Sequence, residues 1–212
     1  MSNFCPKRIM VLAPHTDDGE LGCGGTIARF VDEGAEVFYT AFSVCEDSVP
    51  PGFPPDALEI ELLDASAVLG IPRENLIIHK YKVRHLGNHR QQILQDIIDT
   101  KRQINPDVVF LPCLSDLHQD HSTVALEGVR AYKGTTILSY EMPWNNISLT
   151  TSTFVKLEES HIARKVEALL RYKTQDGRPY TNDEFVRSLA RTRGVQIGVR
   201  YAEAFELVRF VI

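Results

Sequence analysis

Short apolar runs of strand length alternate with helical patterns along this chain, and this alternation restricts the possible folds more than any other feature. A buried strand is predicted over residues 8–13, and a helix over residues 20–33 that closes at Gly34. Further strands are predicted at residues 36–42, 76–80, 107–111, 135–140 and 204–212. Further helices are predicted after Asp56 as far as Leu69, and over residues 89–104, 123–131 and 162–172.

Strands separated by helices indicate right-handed βαβ units, and therefore an α/β fold with a mostly parallel sheet and helices on both faces. The chain has no internal repeat and no linker that divides it, and its 43% hydrophobic and 24% charged residues are typical of a globular protein. We therefore predict a single domain over residues 1–212.

Charge and cysteine content exclude several classes of protein. The net charge is −5 without a long basic run, which disfavours nucleic acid or an anionic membrane as the main partner. No apolar run is long enough to span a bilayer, and the polar N-terminus does not fit a secretory signal. Four scattered cysteines without a Cys-x-x-Cys pair indicate reduced thiols, so we predict a cytoplasmic protein. The oligomeric state is not fixed by the sequence, and a homo-oligomer is compatible with it.

Two clusters of polar side chains follow two of the predicted strands. The first, after residues 8–13, reads Pro14-His15-Thr16-Asp17-Asp18-Gly19-Glu20. The second, after residues 107–111, reads His118-Gln119-Asp120-His121. Since parallel strands end at one edge of a sheet, where such folds bind ligands, we expect the two clusters to meet there.

The chemistry of these clusters favours a metal-dependent hydrolase. Two imidazoles and one carboxylate with an open position form a catalytic zinc site, and zinc polarises carbonyls and activates water. Amide hydrolysis also requires a base, a proton donor and stabilisation of the oxyanion. One carboxylate of the first cluster and one histidine of the second remain for these tasks. Alone, Asp17 and Asp18 would be explained by helix capping; the co-occurrence of both clusters favours the metal site.

The segment Pro14-His15-Thr16-Asp17-Asp18, together with His118-Gln119-Asp120-His121, resembles the PIG-L/LmbE-like family of zinc-dependent de-N-acetylases. The resemblance implies a Rossmann-like fold, Zn²⁺ as cofactor and an N-acylated amino sugar as substrate. It also implies a role for each of six residues. His15, Asp18 and His121 would bind zinc, Asp17 would be the general base, His118 would stabilise the oxyanion or protonate the amine, and Asp120 would support His118, raising its pKa.

The chain departs from the family pattern at three points. Thr16 replaces the usual proline, and Gly19 stands where a glutamate often follows the two aspartates. A substrate-contacting arginine expected around residues 58–61 is absent. The later arginines Arg187, Arg191 and Arg193 could substitute for it or could form a solvated face. The proline-rich loop over residues 49–55 is expected to overhang the site.

Other functions remain open at this point. Gly22-Cys23-Gly24-Gly25 weakly suggests nucleotide binding, but the third glycine of the fingerprint is replaced by Ile27. Two histidines and a carboxylate also occur in iron(II) oxygenases. A non-catalytic scaffold of the same fold, or a hydrolase of non-sugar amides, is a further alternative. The sequence does not identify the substrate, nor whether the acyl group is acetyl or formyl.

Overall fold

The computed structural model describes residues 5–211, and their strands form one seven-stranded sheet. The strands are β1 (Arg8–Ala13), β2 (Glu36–Ala41), β3 (Leu76–Ile78), β4 (Val108–Pro112), β5 (Thr136–Tyr140), β6 (Thr153–Leu157) and β7 (Tyr201–Arg209). Their order is β3-β2-β1-β4-β5-β7-β6. The first five strands are parallel, whereas β7 runs antiparallel to both β5 and β6.

Helices cover both faces of the sheet. They are α1 (Asp18–Asp32), α2 (Ala57–Leu69), α3 (Arg90–Ile104), α4 (Gln119–Ala131), α5 (Glu159–Leu169) and α6 (Asp183–Gln196). Because side chains alternate along a strand, β1 contributes to two cores. Ile9 and Val11 pack with α1, α2 and α5, whereas Met10 and Leu12 pack with α3 and α4. The predicted α/β fold, mostly parallel with helices on both faces, is confirmed.

Two elements were not predicted, and three helices begin earlier than expected. The unpredicted elements are the edge strand β6 and the arginine-rich helix α6, which buries only Val186, Ala190 and Gly194. Helices α1, α4 and α5 begin two to four residues before the predicted starts, which places Asp18 and His121 inside first turns. The predicted last strand instead begins at Tyr201, and its final residue lies outside the described residues.

Helix α1 is kinked in the middle of its glycine cluster. Cys23 has non-helical dihedral angles, φ −145° and ψ 22°. A Cβ on Gly22 would lie 2.3 Å from the ring of Tyr140, so only glycine permits this approach. The glycines are therefore explained by close packing, without a bound nucleotide.

Buried charged groups from the C-terminal part of the chain stabilise the kink. The Glu203 carboxylate accepts the backbone N–H groups of Gly25 and Thr26 at 3.1 and 2.7 Å. Lys165 Nζ donates to Glu203 and to the Leu21 carbonyl, both at 2.7 Å. These bonds satisfy donors and acceptors that the break in the helix leaves unpaired.

The strand order creates a crevice beside β1. From β1 the chain runs to β2 and β3 on one side and then returns to β4 on the other side. Connections diverge at such a switch point, and parallel sheets bind ligands there. Both polar clusters follow these two strands. Within residues 5–211, every helix is too short or too polar to cross a lipid bilayer.

Candidate metal centre

The two predicted clusters meet at the carboxyl ends of β1 and β4. His15 follows β1, Asp18 begins α1, His118 caps α4 and His121 lies in its first turn. The imidazole of His15 lies 4.9 Å from that of His118 and 5.1 Å from that of His121, centroid to centroid. The structure thus brings together residues that lie far apart in the sequence.

Three of these side chains direct ligand atoms at a common point. Asp18 Oδ2 lies 3.2 Å from His15 Nδ1 and 3.3 Å from His121 Nε2, and the two nitrogens lie 3.3 Å apart. Ligands about 2.0–2.1 Å from a tetrahedral zinc lie about 3.3 Å from one another. Two imidazole nitrogens and a carboxylate oxygen are also the ligand types of a catalytic zinc site. The predicted ligand set therefore fits zinc in both spacing and chemistry.

A carboxylate contacts the outer nitrogen of each of these two imidazoles. His121 Nδ1 lies 2.8 Å from Asp116 Oδ2, and His15 Nε2 lies 3.1 Å from Asp120 Oδ2. Both aspartates are buried. Histidines that bind metals commonly donate their other N–H to a carboxylate, which fixes the orientation of the ring. This second contact supports the metal site independently of the ligand spacing.

The charge distribution also favours a bound cation. Burial lowers the pKa of the His15 imidazole, but Asp18 and Asp120 outweigh it and raise the pKa to about 9. Burial likewise opposes the charged form of His121, yet Asp18 and Asp116 raise its pKa to about 10. The neighbouring imidazoles outweigh burial at Asp18 and hold the pKa of this carboxyl well below its usual range. The centre thus stabilises positive charge, carried by protons or by a metal ion.

Asp17 is adjacent to the ligand triangle but outside it. Its half-buried side chain lines the cavity. Burial, followed by the charge of Asp18, raises the pKa of Asp17 to about 6. A carboxylate of this pKa is basic enough to accept a proton from water near neutral pH.

His118 lies beside the triangle, and its hydrogen bonding distinguishes it from the ligands. Its Nδ1 accepts the backbone N–H of Asp120 at 3.2 Å, so in the neutral ring the proton resides on Nε2. The three imidazoles could together hold a metal, since their nitrogens lie within 4.8 Å of one another. Because an Nε2 that carries a proton cannot bind metal, Asp18 is the better third ligand, and His118 is left as a hydrogen-bond donor.

The structure gives the Asp120 carboxylate a different partner from the expected His118. Its carboxylate contacts His15 and the backbone N–H groups of Arg84 and Leu86, and it does not contact the His118 ring. Asp120 raises the pKa of His118 as expected, but burial, together with His15 and His121, outweighs this effect and lowers that pKa. Asp120 therefore orients a predicted ligand and the segment that follows β3.

A buried network beneath the first loop explains why Gly19 replaces glutamate. A Cβ on Gly19 would lie 2.3 Å from the ring of Tyr39, and the Gly19 N–H donates to the Tyr39 hydroxyl at 3.0 Å. The hydroxyls of Tyr39 and Tyr172 contact the Thr16 carbonyl at 2.9 and 2.7 Å, and both contact the carboxyl of Glu20. Burial raises the pKa of Glu20 to about 8, and the hydroxyls of Tyr39 and Tyr172, which donate to its carboxyl oxygens, partly oppose this shift.

A cavity of about 400 Å³ opens over Asp17 and the ligand triangle. Besides those residues, its walls include Arg84, Trp144, Asn145, Gln175, Arg178 and Tyr180. Trp144 and Tyr180 stack with ring centroids 4.0 Å apart and an interplanar angle of 12°. The cavity is large enough to hold a monosaccharide-sized substrate.

The arginines suggested from the sequence do not line this cavity. Arg187 pairs with Glu159 and Asp183, and Arg193 pairs with Glu141. Arg191 donates to a backbone carbonyl. The proline-rich loop over residues 49–55 does not line the cavity either; Cys45 and Ser48, just before it, do.

Sequence reasoning missed Asp116, Tyr39, Tyr172 and the two arginines of the cavity. Asp116 could have been predicted from the sequence, because it lies two residues before His118 and a metal-binding histidine commonly requires a carboxylate partner. No sequence signal marks the tyrosines, which resemble ordinary core residues of β2 and of the segment after α5.

Comparisons with known proteins agree with this geometry. The model of the family described as "GlcNAc-PI de-N-acetylase" (PIG-L) matches residues 10–132, which include both clusters. The "uncharacterized deacetylase YaiS" of Escherichia coli K12 is 31% identical over 177 residues, covering 79% of this chain and 91% of that protein.

Two solved structures superpose over nearly the whole chain. The conserved protein TT1542 from Thermus thermophilus has a TM-score of 0.82 at 29% identity, covering 96% of this chain and 95% of that one. N,N'-diacetylchitobiose deacetylase from Pyrococcus horikoshii has a TM-score of 0.79 at 20% identity, covering 96% of this chain and 84% of that one. The second similarity demonstrates a shared fold only.

Proposed function

Because the chain belongs to the PIG-L family of GlcNAc-PI de-N-acetylases, we propose that it is a zinc-dependent hydrolase that removes an N-acetyl group from an amino sugar. The observation that carries this proposal is the triangle of His15, Asp18 and His121, with side lengths of 3.2 to 3.3 Å. Asp17 and His118 lie beside it on the same cavity. The four free thiols support a reducing, cytoplasmic setting.

Two further side chains complete the chemistry of amide hydrolysis. When bound, zinc would polarise the amide carbonyl and lower the pKa of water. Asp17 accepts a proton from the attacking water and then delivers it to the departing amine nitrogen. The Nε2–H of His118 donates to the oxyanion that develops on the carbonyl oxygen. This division needs no charge on His118, in agreement with its lowered pKa.

The cavity supports a sugar as the substrate. Trp144 and Tyr180 provide an aromatic surface against which the apolar face of a pyranose can pack. Asn145 and Gln175 offer donors and acceptors for hydroxyl groups. A hydrolase of non-sugar amides would have less use for this combination, and it remains the second candidate.

Acetate release from a panel of acylated amines tests the proposal. Purified protein is stripped with a chelator, reloaded with Zn²⁺ or Fe²⁺, and incubated with N-acetylated amino sugars and with N-acetylated amines that contain no sugar. We expect acetate release from sugars with zinc, and its loss after chelation. Hydrolysis only of the non-sugar amines would favour the second candidate. If the zinc-loaded protein hydrolyses no compound of the panel, the result would favour the remaining alternative, a non-catalytic scaffold of the same fold.

A further inference from the structure

Two arginines line the cavity without a direct ion pair among the described residues, although the charge of Arg178 also acts on Asp17 from a distance. Among the described residues, neither Arg84 nor Arg178 has a carboxylate oxygen within 4.0 Å, whereas most arginines of the chain do. The guanidinium of Arg84 contacts only the backbone carbonyl of Asp47, at 3.5 Å. That of Arg178 donates to the Tyr180 hydroxyl at 2.9 Å. Both therefore retain donors for a ligand in the cavity.

The backbone at Arg84 is held in an unfavourable conformation. Its φ is +69°, a left-handed value that a residue with a Cβ seldom adopts. Asp120 stabilises this conformation by accepting the N–H groups of Arg84 and Leu86, and the same carboxylate contacts His15. Strained backbone at the wall of a cavity is typical of a functional position. The backbone of Arg84 is thus fixed relative to the predicted metal ligand His15.

Aromatic packing fixes Arg178 in turn. Its guanidinium lies 5.9 Å from the ring centroid of Tyr180, and that ring stacks on Trp144. Asp17 and Asp18 also line this cavity, and an ionised carboxylate, unlike an arginine, offers no hydrogen-bond donor to an anion. A substrate with one anionic group would therefore bind with that group at the arginines and with its neutral acetamide at Asp17.

We propose that Arg84 and Arg178 bind an anionic substituent of the substrate, a phosphate or a carboxylate, and so select charged amino sugars over neutral ones. This specificity rests on the proposed function, because the reacting group is the acetamide. Guanidinium groups suit both anions, since they donate paired hydrogen bonds to either.

A binding experiment tests the arginines without turnover. Trp144 is the only tryptophan of the sequence and lines the cavity, so its fluorescence reports ligands there. Metal-free protein is titrated with N-acetylglucosamine 6-phosphate, N-acetylglucosamine 1-phosphate, N-acetylmuramic acid and neutral N-acetylglucosamine. Calorimetry provides the same constants where emission does not change. The phosphate and carboxylate probes identify which anion is preferred.

We expect at least one charged probe to bind about tenfold more tightly than the neutral sugar, an effect that salt weakens. R84Q and R178Q should each remove most of this preference. R191Q, which removes the same charge outside the cavity, should keep it. Equal binding of charged and neutral sugars by the wild-type protein, or an unchanged preference in both R84Q and R178Q, overturns the proposal.

Acetate release from the same probes separates this inference from the proposed function. If charged probes bind selectively but no probe is hydrolysed by zinc-loaded protein, the hydrolase proposal fails and the anion site stands. If all probes are hydrolysed with equal kcat/KM, the anion site fails and the hydrolase stands.

Discussion

The two loops that build the site are stabilised in different ways. In the first, between β1 and α1, the Thr16 carbonyl contacts the hydroxyls of Tyr39 and Tyr172, which come from distant parts of the chain. In the second, between β4 and α4, Asp116 contacts the His118 N–H and the His121 imidazole, and its carbonyl accepts from Ser122. The second loop is therefore organised mainly by its own residues and by contacts to the segment after β5, whereas the first relies on hydroxyls from β2 and from the segment after α5.

The largest expected effect is the loss of bound zinc, because each loop supplies at least one of the predicted ligands. H15A in the first loop and H121A in the second each remove one of three ligands, so we expect zinc content to fall from about one per chain to a small fraction. Elemental analysis after gel filtration measures it. H89A changes a half-buried histidine outside the cavity and should retain the metal. Unchanged occupancy in both site variants would make the ligand assignment wrong.

The second largest effect is expected when the predicted general base of the first loop, Asp17, is replaced. D17N should lower kcat by about 10²–10⁴-fold while zinc content stays near one, because asparagine keeps the size of the side chain and loses its basicity. The base must be ionised, so wild-type kcat should fall as pH falls through the pKa of Asp17. That pKa is about 6 without metal and lower beside a cation. A pH–rate profile measures this acidic limb. Loss of zinc in D17N would instead make Asp17 a ligand.

The corresponding substitution in the second loop removes His118, the proposed hydrogen-bond donor to the oxyanion. H118A should lower kcat by about 10²–10³-fold with little change in KM, because the hydrogen bond forms mainly in the transition state. Since the ring is neutral above its lowered pKa, the loss should be equal at neutral and alkaline pH. Steady-state kinetics at both pH values measures it. A loss confined to one pH would indicate that His118 acts by titrating.

Smaller effects should distinguish the two carboxylate–histidine pairs. D116N and D120N should each weaken zinc binding by about 10–100-fold, as measured by competition with a chromogenic chelator. Only D120N should also reduce the selectivity for charged sugars, because Asp120 holds the backbone of Arg84. Equal selectivity in both variants would show that Arg84 is positioned by other contacts.

The smallest expected effect concerns the network beneath the first loop. Y39F leaves buried partners unsatisfied, among them Glu20 Oε2 at 2.6 Å, and should lower the free energy of unfolding by about 1–3 kcal/mol. Y132F is the matched control, because the Tyr132 hydroxyl is buried without a partner among the described residues and its removal should be nearly neutral. Urea denaturation compares the two. Equal destabilisation would contradict a supporting role for Tyr39.

Some parts of the site and of the fold could be predicted from the sequence, and others could not. The predicted contact of His15 and Asp18 with His121 is confirmed. It could be predicted because β1 and β4 are parallel, so the loops that follow them lie at the same edge of the sheet. That Asp120 orients an imidazole was predicted, but not that the imidazole belongs to His15. This pairing and the position of Arg84 could not be predicted, because the Asp120 carboxylate also holds the segment after β3. Helix α6 was missed because its apolar stripe is narrow, and β6 because edge strands bury little.

The kink in α1 has a consequence for the order in which the site can form during synthesis. The carboxylate that caps the second half of this helix belongs to Glu203, which lies 177 residues after Thr26 and close to the end of the chain. A nascent chain that ends before β7 has the predicted metal ligands but lacks the group that closes the helix bearing Asp18. The helix bearing Asp18 can therefore reach its final geometry only after β7 has been synthesised and has joined the sheet.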